Sequence, residues 1–228
     1  MHRYAAYVTE FIGAFFLMLT VGTSVLSGSA LAPVAIGAVL MVMVYAGAHV
    51  SGGLYNPSLT LAALVRRRLG RPDAVAYWAA QILGGIIGAA VALWAVNPAR
   101  TRTLSPQGRA LAAALLVELL FTFALAYVML NVATSRSNPN ASFYGLAIGF
   151  TVAAGGIAVG RISGAAFNPA VTLGLTAMGL LPWYVTLLYL IVQLLAGAGA
   201  GMAFLALNPD EALARPRRES VKTAGAAP

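Results

Sequence analysis

The chain has 228 residues, of which 60% are hydrophobic and only 9% charged, and its mean hydropathy is +0.84. Soluble domains carry roughly 25% charged residues, so this composition excludes an ordinary soluble fold and indicates a chain surrounded largely by lipid. It has no cysteine, which excludes disulfides and thiolate metal sites, and its two histidines are too few for a histidine metal cluster. The net charge of +8 does not indicate a nucleic-acid partner, because the basic residues lie between apolar runs, as in a membrane protein oriented by its loops.

Six segments are apolar over about the 20 residues that a membrane-spanning helix needs. In chain order they are residues 4–27, 31–50, 74–96, 110–132, 143–160 and 181–207. The first lacks a small-residue cleavage site before a soluble domain, so we interpret it as a spanning helix rather than a signal peptide. Two shorter apolar stretches, 51–65 and 162–175, combine a Gly-rich piece with Asn-Pro and are typical of re-entrant segments. Residues 208–228 form a predicted cytoplasmic tail.

The distribution of Lys and Arg predicts that both termini lie on the cytoplasmic side of a cell membrane. With the N-terminus inside, ten basic residues fall on the inner side and four on the outer side, and the inner side of a membrane protein is the more basic one. The inner set is Arg3, Arg66, Arg67, Arg68, Arg71, Arg136, Arg215, Arg217, Arg218 and Lys222, and the outer set is Arg100, Arg102, Arg109 and Arg161.

The two halves of the chain, about 4–96 and 110–207, repeat each other at an offset of 112 residues. The matching residues are Ala35-Ile36-Gly37 with Ala147-Ile148-Gly149, Asn56-Pro57 with Asn168-Pro169, and Tyr77 and Gln81 with Tyr189 and Gln193. Glu10 matches Glu118 at an offset of 108. Because each repeat holds three spans, the second copy enters the membrane from the opposite side, and such inverted repeats place the working site near the midplane.

The Asn-Pro pairs at Asn56 and Asn168 are predicted to begin two short helices that meet in mid-membrane. Both stand in the pattern Ser-Gly-x-x-x-Asn-Pro, as Ser51-Gly52-Gly53-Leu54-Tyr55-Asn56-Pro57 and Ser163-Gly164-Ala165-Ala166-Phe167-Asn168-Pro169. Asn is a good helix N-cap and Pro suits the first helical position. The residues before each Asn are expected to be extended, with free carbonyls lining a wet cavity. Two helix N-termini and two Asn amides would repel cations yet donate to a neutral oxygen.

With these paired motifs the chain resembles the aquaporin, or major intrinsic protein, family over residues 4–207. The resemblance implies an all-α membrane channel in residues 1–207, built from six transmembrane helices and two re-entrant half-helices. It also implies a homotetramer with one pore per subunit, no cofactor, and water and small neutral solutes as substrates. The implied pore motifs are Asn56, Pro57 and Ser58, and Asn168, Pro169 and Ala170, with Ser58 standing where the family usually has Ala.

Glu10 and Glu118 are the charged residues well inside the predicted spans, where one charge costs at least about 2.5–3.5 kcal/mol. In the family, glutamates at such positions accept hydrogen bonds from the backbone of the re-entrant loops. The alternative is a proton relay. His49 and Arg161 each precede a motif Asn by seven residues and are expected at the inner and the outer mouth of the pore. The alternatives are a hydrogen-bonded packing role for His49 and an interfacial charge for Arg161.

Water-selective members of the family narrow the outer pore with an aromatic residue, a histidine, an arginine and one further loop residue. Counted from the motifs, these positions fall on Ile36, Gly156, Val171 and Ala165. All three large polar or aromatic groups are therefore absent, and Thr172 stands where glycerol channels carry Asp. This pattern predicts a wide apolar filter that passes uncharged solutes larger than water, such as glycerol or metalloid hydroxides.

Three other functions stay open at this stage. One is a strictly water-selective channel, another is an inverted-repeat secondary transporter, and the third is a membrane scaffold with a closed pore. The sequence contains no obvious nucleophile–base pair or metal-binding set, so we expect no enzyme. Four glycines allow helices to pack closely, within or between subunits: Gly84, Gly88, Gly197 and Gly201.

Overall fold

The structure, a computed structural model, describes residues 2–98, 103–138 and 142–213. The helices of this part of the chain are α1 (His2–Leu26), α2 (Ala32–Ser51), α3 (Pro57–Val65), α4 (Arg71–Val96), α5 (Gly108–Ala133), α6 (Tyr144–Ser163), α7 (Pro169–Ala177), α8 (Trp183–Leu207) and α9 (Pro209–Leu213). Six basic residues of the charge count lie outside the described residues: Arg100, Arg102, Arg215, Arg217, Arg218 and Lys222.

Six helices are long and apolar enough to cross a membrane, namely α1, α2, α4, α5, α6 and α8, and they match the six predicted spans to within a few residues. The two re-entrant stretches are each a loop followed by a nine-residue helix, α3 and α7. At the start of the predicted tail, residues 209–213 form a ninth helix, α9. The rest of that predicted tail, 214–228, lies outside the described residues.

The two half-helices enter the bundle from opposite ends. We call the end where α1 begins the N-terminal face and the end where α1 finishes the far face. The α2 helix returns the chain to the N-terminal face, from which the first loop leads inward to the start of α3, and α3 runs back toward that same face. The α6 helix leads to the far face, from which the second loop and α7 enter. The half-helix α3 packs mainly on α8, and α7 packs mainly on α4, so each rests on a helix of the other repeat. This is the expected inverted repeat.

Glycines set the closest approaches between helices. Gly37 of α2 and Gly149 of α6 face each other, and a methyl group on either would meet the other's carbonyl oxygen. These two residues are repeat partners, so they mark the crossing of the helices that the pseudo-two-fold axis exchanges.

The four glycines predicted to allow close packing do so inside the subunit. Gly84 and Gly88 lie against the backbone of α1, and Gly197 and Gly201 lie against α3. The outward surface instead carries large exposed apolar side chains such as Trp94, which is 83% exposed, and Phe150, which is 63% exposed. An apolar surface of this kind suits lipid or a neighbouring subunit.

Candidate pore and its far-face cavity

The half-helices begin at asparagines that cap them. The backbone of Asn56 and Asn168 is extended, and each side-chain Oδ1 accepts a hydrogen bond from the backbone N–H two residues on, at 2.8 Å from Ser58 and 2.9 Å from Ala170. Proline occupies the first helical position in both. The local sequence therefore starts each half-helix in the predicted way, since Asn supplies the missing partner for an end N–H and Pro has none to satisfy.

The same two side chains tie the half-helices together. Asn56 Nδ2 donates to the carbonyl of Phe167 at 2.9 Å, and Asn168 Nδ2 donates to the carbonyl of Tyr55 at 2.9 Å. Each amide has two N–H groups, so one is held by the opposite loop and one remains for a passing oxygen. The asparagines are 3% and 4% exposed and line the cavity described below. The two positive helix ends thus converge on the same point.

A buried carboxylate organises each loop. In the first repeat Glu10 Oε1 accepts from Ser51 Oγ at 2.6 Å and from the N–H of Leu54 at 3.0 Å. Its Oε2 accepts from the N–H of Tyr55 at 2.6 Å and from Gln81 Nε2 at 2.8 Å. Four donors converge on one carboxylate, which offsets the cost of burying it.

The second repeat copies this arrangement atom for atom. Glu118 accepts from Ser163 Oγ at 2.8 Å, from the N–H groups of Ala166 and Phe167 at 2.9 and 2.8 Å, and from Gln193 Nε2 at 2.8 Å. These are the backbone contacts that the family resemblance implies. Because all four partners are fixed, the carboxylates hold the loops rather than standing free in the pore.

The loops before the asparagines are not extended, contrary to the sequence-based expectation. Gly53 and Tyr55 in the first loop have φ of 63° and 50°, and Ala165 and Phe167 in the second have 51° and 48°. This left-handed backbone costs about 1–2 kcal/mol for a residue with a side chain. The N–H groups of Tyr55 and Phe167 are bound by Glu10 and Glu118, so the carboxylates help to maintain the strained conformation.

A cavity of about 520 Å³ opens from the far face down to the two asparagines. Its wall includes all four positions at which the sequence located a filter: Ile36, Gly156, Ala165 and Val171. It also includes Arg161, whereas His49 is not part of its lining. His49 lies in the last turn of α2, at the N-terminal face, and is exposed, which argues against the packing alternative. The structure therefore brings the four filter candidates together with Arg161 in the cavity at the far face.

The repeat partners of the filter positions are packed more tightly. Val44 and Ile148 match Gly156 and Ile36 at the same offset, and they are 1% and 2% exposed. The two sides of the asparagines therefore differ. On the far side Gly156 leaves space beside the cavity, whereas at the matching position on the N-terminal side the buried Val44 fills it.

Several wall residues escaped the sequence analysis, and Leu104 is one of them. Leu104 lies in the connection between α4 and α5 and lines the cavity. Its N–H donates to the carbonyl of Leu180 at 2.9 Å, and its side chain lies 3.4 Å from the position that a Cβ on Gly164 would take. Leu104 therefore reaches the level of Ala165. No sequence signal identifies it, because it lies between the repeats, has no partner residue and belongs to no periodic segment.

Two buried hydroxyls find no hydrogen-bond partner among the described residues: Ser58 Oγ and Thr122 Oγ1. Both residues are fully buried. Their repeat partners are the alanines Ala170 and Ala14. Ser58 thus places a hydroxyl at the start of α3, where the matching residue of α7, Ala170, has only a methyl group.

Comparison with known proteins gives one consistent result. The family model described as Major intrinsic protein matches residues 1–161 and again 154–225. The chain is 38% identical over 178 residues to "Glycerol uptake facilitator protein-like 6" of Lactiplantibacillus plantarum, covering 74% of this chain and 81% of that one. It is 36% identical to "Aquaporin NIP2-1" of Oryza sativa subsp. japonica, covering 76% and 60%, and 32% identical to human "Aquaporin-4", covering 74% and 57%. The matched segments thus span less than two thirds of these last two relatives.

The fold also has a solved counterpart. The aquaglyceroporin from Plasmodium falciparum superimposes with a TM-score of 0.71, at 20% identity, over 93% of this chain and all of that one. At this identity the likeness concerns the fold alone.

Proposed function

The chain belongs to the major intrinsic protein family, whose members are multi-pass membrane channels rather than enzymes, and on that premise we propose that it is a passive pore for water and uncharged solutes of glycerol or metalloid-hydroxide size. One observation carries the proposal. Two half-helix N-termini, each with an Asn amide, meet at the floor of a cavity of about 520 Å³ whose filter positions carry no large polar group.

The floor of the cavity accounts for the exclusion of ions. Each half-helix N-terminus carries about half a positive charge, and the free N–H groups of Asn56 and Asn168 donate hydrogen bonds. A cation meets positive potential there, whereas a water or hydroxyl oxygen meets two donors. Only uncharged solutes therefore pass. Glu10 and Glu118 serve as supports, since the groups that donate to them are loop N–H groups and fixed side chains.

The cavity wall accounts for the proposed size range. Valine at 171 and glycine at 156 fill less space than the arginine and histidine of water-selective members, and neither donates a side-chain hydrogen bond. A solute with several carbons passes apolar walls while its hydroxyls face the loop backbone. Arg161 stands at the rim, where its charge adds to the repulsion of cations.

We further propose that the N-terminal face is cytoplasmic, in a cell membrane, and that the channel assembles as a homotetramer. The support for orientation is the ten-to-four distribution of basic residues. Single cysteines are informative in this Cys-free chain: one replacing Arg68 should react only with reagents inside the cell. If a cysteine at that position reacts only with reagents outside the cell, the proposed orientation is wrong and the N-terminal face is external.

The test of the function is stopped-flow light scattering on proteoliposomes with water, glycerol, urea and arsenous acid. We expect the wild type to pass solutes larger than water with a linear, unsaturable flux. Val171→Arg should suppress the larger solutes far more than water. The arginine side chain is much larger than that of valine, and its planar guanidinium group adds a positive charge and fixed hydrogen-bond donors to the passage. Val171→Leu is the control for added volume without charge. A wild type that excludes every larger solute is a strictly water-selective channel, and a saturable, proton-driven flux identifies a transporter.

A further inference from the structure

A buried ion pair joins α9, the last helix of the described residues, to the first half-helix at the N-terminal face. Arg66 follows α3 directly, and its guanidinium binds the carboxylate of Glu211 in α9. The two residues are 145 positions apart in the sequence, and their side chains are only 5% and 6% exposed. A buried pair of charges is stable only with further hydrogen bonds around it, so its other contacts identify what it holds.

Arg66 connects three helix ends. Its Nε donates to Thr134 Oγ1 at 2.8 Å and a terminal nitrogen donates to the carbonyl of Thr134 at 2.9 Å, directly after α5. The guanidinium also lies 4.5 Å from the ring centroid of Phe204 in α8. Its own N–H closes α3 on the carbonyl of Ala62. A cation at this helix end is favourable, since the C-terminus carries the negative end of the dipole.

Glu211 holds the segment after α5 as well. Its Oε1 accepts from Ser135 Oγ at 2.9 Å and from the N–H of Arg136 at 2.7 Å. Burial on its own would raise the pKa of the Glu211 carboxyl, but the hydrogen bonds from Arg136 and Ser135 and the charge of Arg66 hold that pKa below its usual range. The carboxylate is therefore ionised at neutral pH and joins α9, α3 and the α5–α6 connection.

The described residues of the second repeat hold no such pair. The partner of Arg66 is Met178, whose sulfur packs against Gly22 of α1. The end of α7 is held instead by the connection between α4 and α5, where Leu104 binds the carbonyl of Leu180 and Thr103 Oγ1 binds the carbonyl of Gly179 at 2.8 Å. The end of each half-helix that lies away from the asparagines is thus held by a segment outside the two repeats. This segment is α9 for α3 and the connection between α4 and α5 for α7.

We propose that Glu211 is a positioning residue of the pore, which acts through Arg66 to fix the outer end of α3 and thereby the place of Asn56 at its inner end. The half-helix is nine residues long, which is about 14 Å. A rod this short transmits a shift at one end to the other, so the C-terminal segment is part of the conducting machinery. The inference rests on the proposed channel function.

The experiment compares Glu211→Gln and Glu211→Ala with Asp210→Asn. Asp210 is the neighbouring acid in α9 and is exposed, so its substitution removes the same charge without touching Arg66. Water flux is measured in proteoliposomes and normalised to folded protein, together with the activation energy of that flux, the glycerol-to-water ratio and the melting temperature. We expect the Glu211 variants to lose about threefold or more of the flux per folded channel and to change the ratio, because a site held loosely loses its geometry.

A role in stability alone predicts another pattern. If Glu211→Ala lowers the melting temperature while flux per folded channel, activation energy and solute ratio equal those of the wild type, the proposal is overturned. If Glu211→Ala does not fold, Glu211→Gln decides, since its amide oxygen can still accept from Ser135 and Arg136. Arg66→Lys, which keeps the charge but loses the bond from Nε to Thr134, should fall between Glu211→Gln and the wild type. A wild type without water flux contradicts the channel function itself and is thereby distinguished from failure of this inference.

Discussion

The two half-helices are alike where they meet and unlike where they leave the bundle. At the centre, Asn56 and Asn168 cap their helices and cross-bond the opposite loop with equal distances. At the outer ends, α3 is held by a buried ion pair and α7 by two backbone carbonyls and an apolar contact. The centre must present the same donors to solute from either side, so both copies keep them. The other ends of the two half-helices contact different loops, so each is held in place by different interactions.

The largest expected effect comes from breaking the symmetric centre. Asn56→Asp or Asn168→Asp replaces two N–H donors by an acceptor-only carboxylate that faces the carbonyl of Phe167 or Tyr55. We expect a loss of about tenfold or more in neutral-solute flux, or a new cation leak, and the same result at both positions. Flux and ion conductance in liposomes measure it. Asn97→Asp, in an exposed Asn-Pro pair after α4, is the matched control. Unchanged permeability and ion exclusion in both pore variants would contradict the two-motif centre.

The next effect tests whether the two carboxylates are equivalent. Glu10→Gln and Glu118→Gln keep the size of the side chain but lose the charge that strengthens four hydrogen bonds, and bonds to a charged group are roughly twice as strong as neutral ones. We expect both variants to melt at a lower temperature by a similar amount, with reduced flux. A pH-driven flux in the wild type that only Glu118→Gln uncouples would support the transporter instead.

A smaller effect, confined to the far face, is expected at Leu104. Leu104→Ala removes the side chain beside Gly164 but keeps the N–H that binds Leu180, so the connection stays in place while the cavity widens. We expect the glycerol-to-water ratio to rise about two- to fivefold with only a modest loss of stability, since the side chain is half-buried and lines the cavity. Leu31→Ala, at an exposed leucine before α2, is the control. An unchanged ratio would show that Leu104 does not narrow the passage.

The smallest effect is expected from Ser58→Ala, a substitution that makes the starts of the two half-helices more alike. Ser58→Ala removes a buried hydroxyl that has no partner among the described residues and supplies the residue found at Ala170. We expect the variant to be more stable by about 1 kcal/mol, because a buried unsatisfied group costs about that much, with water flux unchanged. Thr122→Ala is the parallel change on α5. A clear loss of stability in Ser58→Ala would reveal a partner for the hydroxyl, such as a bound water.

Much of the pore could be found from the sequence because the two repeats match at a constant residue offset. The motif at Asn168 lies at the same offset from Asn56 as Gln193 does from Gln81, and counting from the motifs located the four wall residues that the structure brings together. Leu104 and Glu211 were missed for the opposite reason. One lies between the repeats and the other after them, so neither has a partner residue, and an acid in a charged tail is ordinarily solvated.

The sequence by itself determined the six spans, the inverted repeat and the two capped half-helices, because these depend on local apolar length, on Asn-Pro chemistry and on the constant offset. Only the tertiary structure decided the left-handed loops at Tyr55 and Phe167, the open far side against the packed N-terminal side, and the anchoring of α3 by Glu211. The reason is physical. A strained φ, a cavity and a buried ion pair each depend on groups far apart in the chain, and no local pattern records which distant donor or methyl group will be there.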